Sequence, residues 1–220
     1  MRERGVLIAI EGIDGAGKTT QVSLLAQAFE TIGEEPVATK EPTDGPWGRK
    51  IRESAENGRL SLEEELEAFI QDRAEHVKQV IEPALNAGSI VILDRYFYST
   101  IAYQGARGAD AAAIKSRMES LFPLPDIVFL LDIDPADGLQ RISELRKDKP
   151  NEFENVESLA KARAIFNSLD DERITKLDGS LAPETIHRGI VAGLVLGPLR
   201  ARRGSEVWTT AWALTYTQKS

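Results

Sequence analysis

The chain has 220 residues, no cysteine, 42% apolar and 28% charged residues, and a formal net charge of −8 from 35 acidic and 27 basic side chains. These values exclude wholesale disorder, a fibrous repeat, disulfide stapling and thiolate chemistry, and the acidic balance argues against nucleic acid as a partner, which needs a basic face. One domain is expected. With no signal-peptide pattern after Met1 and no apolar run near about 18 residues, the expectation is a cytoplasmic protein with no membrane partner.

Val6 to Ile10 is a continuous apolar run of strand length, as for a strand buried on both faces. Gly12 to Gly17 breaks it. Thr19 to Thr31 then reads as a helix, with Val22, Leu25, Ala26 and Phe29 on one side and Gly33 just past its end. Pro36 to Lys40 is a second strand, and Gly45 to Asn57 a short amphipathic helix stopped by Gly58. Ser61-Leu62-Glu63-Glu64 is a capping box; the helix it starts is expected to run to about Ala87, with Pro83 near its last turn.

Ile90 to Leu93 is a third strand, ending in Asp94-Arg95. Helical stretches follow near Ser99–Gln104 and Ala109–Leu121. Ile127 to Leu131 is a fourth strand, ending at Asp132. Pro135 to Arg146 reads as a helix with proline in its first turn, Lys147 to Asn155 as a mobile polar loop, and Val156 to Asp171 as a helix. Ile174 to Asp178 is a weak fifth strand and Pro183 to Leu196 a last helix. Buried strands separated by helices predict an α/β fold: a five-stranded parallel sheet with helices on both faces. Residues 1–196 form the expected domain. Residues 197–220, with Arg200, Arg202, Arg203 and the Trp/Thr-rich Val207–Tyr216, form a tail that reads equally as an edge strand, a packing arm or a disordered end.

Gly12-Ile13-Asp14-Gly15-Ala16-Gly17-Lys18-Thr19 fits G-x-x-x-x-G-K-[ST] and lies between a buried strand and a helix, the context that gives the motif its meaning. Gly12, Gly15, Ala16 and Gly17 let backbone N–H groups turn inward around phosphate oxygens, and the next helix, with Thr19 and Thr20 in its first turn, offers its positive end to the same anion. Lys18 can reach the outer phosphates and the Thr19 hydroxyl can join a Mg2+ shell. The motif therefore predicts a nucleoside triphosphate with Mg2+.

A GTPase is the first rival, since Thr175-Lys176-Leu177-Asp178 superficially matches a guanine-reading element. Asp94-Arg95-Tyr96-Phe97 stands where a D-x-x-G turn would be needed. The P-loop by itself also suits a nucleotide-binding switch protein, or a nucleotide or nucleoside kinase with a different acceptor. The ordered set Gly12–Thr20, Lys40-Glu41-Pro42, Phe69-Ile70-Gln71-Asp72-Arg73, Asp94-Arg95-Tyr96 and Ser99-Thr100-Ile101-Ala102-Tyr103-Gln104 resembles the successive signatures of the thymidylate kinase family. Pro125-Asp126-Ile127, Asp132, Arg163 and Phe166 extend the resemblance over roughly Val6 to Ile190.

The resemblance implies transfer of the γ-phosphate of ATP to dTMP. Phe69 would stack on thymine and Arg73, four residues on and on the same helix face, would bond its carbonyl edge; taken alone, the two read as a core Phe and a surface Arg. Arg95, just after a buried strand, would clamp the acceptor phosphate, or else form a structural ion pair. Asp94 would order the Mg2+ shell or its waters. The resemblance further puts Asp14 near the sugar 3′-hydroxyl, Tyr103 under the sugar, and Thr100 and Gln104 at the base. Glu11 and Glu41, at strand ends, read as partners of Mg2+ water or the acceptor, Glu41 nearly as well as a surface carboxylate. His76 and His187 are isolated and receive no role.

Two departures from the family pattern stand out. Thr43-Asp44-Gly45-Pro46-Trp47-Gly48 replaces the usual turn after Glu41-Pro42, and Glu152 stands where an Arg is common. No Lys or Arg occupies the variable P-loop positions, so a lid cation is expected. Arg141 and Arg146 are about 140° apart on a helix; Arg141 is expected to be fixed by the scaffold and Arg146 to swing in with the loop. The resemblance, with apolar residues on more than one face of the long helix (Leu62, Leu66, Phe69, Ile70, Val77, Val80, Ile81), also predicts a homodimer.

Overall fold

β1 (Val6–Glu11) is buried at every position, which places it in the middle of the sheet. β3 (Ile90–Asp94) and β4 (Ile127–Asp132) flank it, and β2 (Val37–Lys40) and β5 (Ile174–Asp178) form the edges, in the order β2-β3-β1-β4-β5 with every pair parallel. The computed structural model describes residues 4–145 and 155–199, and these five are the strands among them. Burial explains the sequence pattern. The three inner strands are near-continuous apolar runs because both faces are covered. The two edge strands are only partly buried, so the fifth reads as weak. Leu7, Ile8 and Ile10 are fully buried, each stabilising the fold by about 1.5–3 kcal/mol relative to exposure.

The helices are α1 (Lys18–Thr31), α2 (Pro46–Asn57), α3 (Leu62–His76), α4 (Glu82–Asn86), α5 (Phe97–Ala106), α6 (Ala111–Leu121), α7 (Pro135–Leu145), α8 (Val156–Ser168) and α9 (Pro183–Leu196). α1 lies on β1, β2 and β3 and packs against α9, while α5 packs against α3, α6 and α8. The capping box forms as expected: Ser61 accepts from the Glu64 N–H, and Glu64 from the Ser61 N–H.

Two expected elements differ. The long helix is interrupted by a π-helical turn, Val77–Ile81, before α4, and the Glu82 N–H reaches back to the Val77 carbonyl. Pro83 has no N–H to give, and its ring would strike the carbonyl four residues back in a regular helix; the wider turn relieves both problems. α8 ends at Ser168 rather than near Asp171. Leu169 is extended, and Asp171 turns instead to accept from Tyr98 and Arg173. Leu199 is buried in the main core. Arg146, most of the 147–155 loop and residues 200–220 lie outside the described residues.

The register sets up the site. Asp94 at the end of β3 lies opposite Ile10 of β1 and Lys40 of β2, so Glu11, Glu41 and Arg95 emerge together at the carboxyl edge. From β1 the chain goes to β2 and β3 on one side and later to β4 on the other. That switch point is where open parallel sheets leave a crevice for ligands.

Candidate active site

The loop from Gly12 to Gly17 leaves β1 and enters α1, and its fit depends on a neighbour. A Cβ on Gly15 would meet the Gly138 carbonyl oxygen at 2.1 Å, and one on Gly138 would meet the Asp14 carbonyl oxygen at 2.6 Å. The P-loop thus rests backbone to backbone on α7, with no room for a side chain on either residue. Gly138 lies outside every motif of the sequence; a glycine inside an amphipathic helix pattern is the signal that marks it.

Lys18 is buried, and its Nζ donates to the Ile13 carbonyl at 2.8 Å. Burial, with Arg95 nearby, pushes its amine down to about 8. The Thr19 hydroxyl donates to Asp94 Oδ2, joining the first turn of α1 to the end of β3.

Arg95 has φ 71°, a left-handed conformation that costs a non-glycine residue on the order of 1–3 kcal/mol. It is held there from three sides. Its N–H donates to Ile10 at 3.0 Å, Nη1 donates to Ser99 Oγ at 3.1 Å, and Nη2 pairs with Asp14 Oδ1. The guanidinium lies over the Tyr103 ring, 5.5 Å from its centroid. The Tyr103 hydroxyl donates to Asp14 Oδ2 at 2.9 Å and accepts from the Asp14 N–H at 3.1 Å. Burial and the Asp14 charge push the phenol well above its ordinary range, so it stays a neutral donor. Asp14, Arg95 and Tyr103, far apart in sequence, form one cluster.

The two strand-end glutamates correct the sequence reading. Glu11 is fully buried and accepts from the Tyr96 N–H (2.7 Å), the Ser99 N–H (3.2 Å) and the Ser99 hydroxyl (2.6 Å). It caps the start of α5 rather than facing metal water or the acceptor, and burial raises its pKa in spite of those bonds. Glu41 is buried, not on the surface. Its Oε2 accepts from Arg73 Nε at 2.8 Å, and its Oε1 lies 3.0 Å from His76 Nδ1.

Arg73 is likewise no surface residue; it is 1% exposed. Nη2 donates to Thr100 Oγ1 at 3.0 Å, and the guanidinium lies over the rings of Tyr96 and Phe122. His76, isolated in the sequence, links Glu41 to Thr39, with Nε2 2.9 Å from Thr39 Oγ1. Its place one turn after Arg73 on α3 is the available signal. His187, in α9, is buried, which lowers its pKa.

Asp14, Lys18, Thr19, Glu41, Arg73, Asp94, Arg95 and Tyr103 line one cavity of about 810 Å³. Residues 14–17 of the P-loop, Lys18 and Thr19 share its wall with Asp94, Arg95, Phe69, Arg73, Thr100, Tyr103 and Gln104, and Tyr103 and Arg95 meet the P-loop directly at Asp14. Arg141 also lines it, with Leu181, Pro183 and Ile186. Nη1 and Nη2 of Arg141 donate to the carbonyls of Gly179 (2.8 Å) and Ser180 (3.3 Å), so this arginine is fixed by the scaffold as expected. Arg163 grips Asp132 through Nε (2.6 Å) and Nη2 (3.0 Å), tying α8 to the end of β4.

A P-loop that shares one cavity with a guanidinium and aromatic rings is a layout that suits a kinase for a small phosphorylated acceptor. Comparison with known proteins identifies which one. The family model for thymidylate kinase matches residues 10–190. The thymidylate kinase of Xylella fastidiosa (strain M12) is 46% identical over 201 residues, covering 91% of each chain. That of Xanthomonas euvesicatoria pv. vesicatoria (strain 85-10) is 48% identical over 198 residues, covering 88% of this chain and 87% of its own.

The chain belongs to the thymidylate kinase family.

Thymidylate kinases are phosphotransferases that convert dTMP to dTDP with ATP, and the P-loop, the ordered motifs and the parallel sheet agree with that membership. Among the described residues no group of three or more His, Cys, Asp or Glu could hold a metal ion. No described helix is long and apolar enough to cross a membrane.

Proposed function

We propose that Lys18 and the backbone N–H groups of Gly12, Gly15, Ala16, Gly17, Thr19 and Thr20 hold the β- and γ-phosphates of ATP, that Arg95 holds the phosphate of dTMP, and that Phe69, Arg73, Thr100, Tyr103 and Gln104 receive its nucleoside. The observation that carries this reading is the single cavity joining the P-loop to Phe69 through Arg95. Phosphoryl transfer depends on in-line positioning and neutralised charge more than on a strong base. The Nη groups of Arg95 donate to Ser99 and Asp14, which fixes the guanidinium at the cavity wall for a phosphate oxygen. Asp14 is held by Arg95 and Tyr103 where a sugar 3′-hydroxyl could donate to it. The Tyr103 ring leaves little room for a 2′-hydroxyl.

The Thr19 hydroxyl and the Asp94 carboxylate, bonded to each other beside the cradle, are hard oxygen donors of the kind Mg2+ takes. They fit an ion arriving with ATP, Thr19 as ligand and Asp94 holding its waters. The ion, when bound, would neutralise phosphate charge. Arg141, fixed at the cavity wall, orients the loop before α9, and Arg146 supplies a further cation to the transferring phosphates. Residues 1–196 act as one kinase domain, in a homodimer, in the cytoplasm.

A coupled ADP-release assay over a panel of nucleoside monophosphates tests the acceptor assignment. dTMP is expected to be the best acceptor and ribonucleotides poor. Faster turnover of CMP, AMP or GMP would contradict it.

A further inference from the structure

The wall behind the acceptor pocket contains a buried ionic cluster that the phosphoryl transfer does not use. Glu65 of α3 is fully buried and receives Arg107 Nη1 on Oε2. Arg59 adds Nε at 3.3 Å and Nη2 at 3.4 Å. Arg107 is itself anchored, its Nη2 donating to the Leu60 carbonyl at 2.9 Å. The fourth donor to this carboxylate is the Gln104 amide nitrogen, at 3.1 Å.

A carboxylate held by two guanidinium groups offers only lone pairs, so the Gln104 amide must turn its NH2 toward Glu65. Its oxygen then becomes the free end. Gln104 is fully buried, it lines the cavity, and its Oε1 has no hydrogen-bond partner among the described residues. A buried acceptor without a donor is costly, and native structures seldom leave one unless a ligand or water completes it.

The geometry points to Glu65 as a positioning residue that, with Arg107, locks the Gln104 amide so that its oxygen accepts an N–H from the acceptor base. This rests on the reading that Gln104 faces the base of dTMP. It deepens that reading by naming what the pocket selects. Thymine carries an N–H at ring position 3, whereas a cytosine-type ring has a lone pair there, which would face the lone pairs of Oε1. The lock selects against that ring whether or not it carries a 5-methyl group.

The test measures calorimetric dissociation constants for dTMP and 5-methyl-dCMP, two ligands with the same methyl group, sugar and phosphate. Glu65→Gln keeps the shape and removes the lock, because the new amide can present either end to Gln104. The preference for dTMP should fall by about tenfold, the scale of one hydrogen bond lost or made. kcat at saturating dTMP should stay within about threefold, since the phosphates are held elsewhere. Gln104→Leu should lose the same preference, and the double variant should be no worse than Gln104→Leu alone, because Glu65 acts through Gln104. A merely structural role for Glu65 predicts additive losses and equal weakening of both ligands. If Glu65→Gln is too unstable to purify, Glu65→Gln/Arg107→Gln, which removes one charge of each sign, takes its place. An unchanged preference in the Glu65 variant beside a collapsed one in Gln104→Leu overturns the inference and leaves the acceptor reading standing. An unchanged preference in Gln104→Leu overturns both.

Discussion

Lys18→Met removes a charge at a position where the free fold disfavours it. Lys18 is 6% exposed, and burial, with Arg95 adding like charge, brings its amine from the ordinary 10.5 to about 8. At about 1.4 kcal/mol per tenfold change in proton affinity, the charged form is disfavoured by roughly 3 kcal/mol at neutral pH. Methionine has a similar length and no charge, so it relieves that cost. It also loses the bond to the Ile13 carbonyl, worth about 1 kcal/mol. The variant should therefore be about 2 kcal/mol more stable than the parent at pH 7 without nucleotide. Its turnover should fall at least about a hundredfold, the scale of losing one preorganised charge contact.

The sign of the pH dependence follows from proton counting. The folded parent holds this proton less tightly than the unfolded chain, so the cost of charging Lys18 is fully present below about 8. It fades as pH rises through 10.5, above which both states are neutral. Urea unfolding of both proteins at pH 7 and pH 9.5 should show the advantage of the variant at the first pH and a much smaller one at the second. A Met variant that is less stable than the parent at pH 7, or whose advantage does not shrink with pH, refutes the argument that this site holds its cation against a desolvation cost.

Gly138→Ala places a Cβ 2.6 Å from the Asp14 carbonyl oxygen, so the P-loop or α7 must shift. kcat/KM for ATP should drop at least about tenfold, in keeping with the cost of misplacing a preorganised site, while circular dichroism stays that of the parent. Unchanged kinetics would show that the close approach is unimportant. Arg146→Ala should lose far more turnover than Lys149→Ala at saturating ATP and dTMP, and equal turnover in the two would remove Arg146 from the mechanism. Sedimentation at micromolar concentration should give a dimer, and only monomer would refute the pairing. The fold places Ile70, Val77 and Ile81 in the chain's own core, and of the seven apolar residues the other four, Leu62, Leu66, Phe69 and Val80, are half-buried.

The sequence alone determined the order of the elements, because buried parallel strands and amphipathic helices write different periods. It also determined the Gly-rich P-loop, because a turn between strand and helix is a local structure that travels with its spacing. Ordered motifs carried the family and the acceptor. Tertiary structure decided what each charged side chain at the strand ends touches. Glu11 and Glu41 look alike in the sequence, each one residue beyond an apolar strand run or at a β-to-loop junction. Glu11 caps α5, while Glu41 joins His76 to Arg73. Arg73 reads as a surface residue until Glu41, 32 positions earlier, and Thr100, 27 positions later, are brought to it. The contact of Gly15 with Gly138, and the lock from Glu65 to Gln104, likewise join segments that have no local relation. Local patterns fix backbone state. Partners for buried charge and close backbone approaches depend on which helix the folded chain lays against which strand, and no window of sequence contains both sides of such a contact.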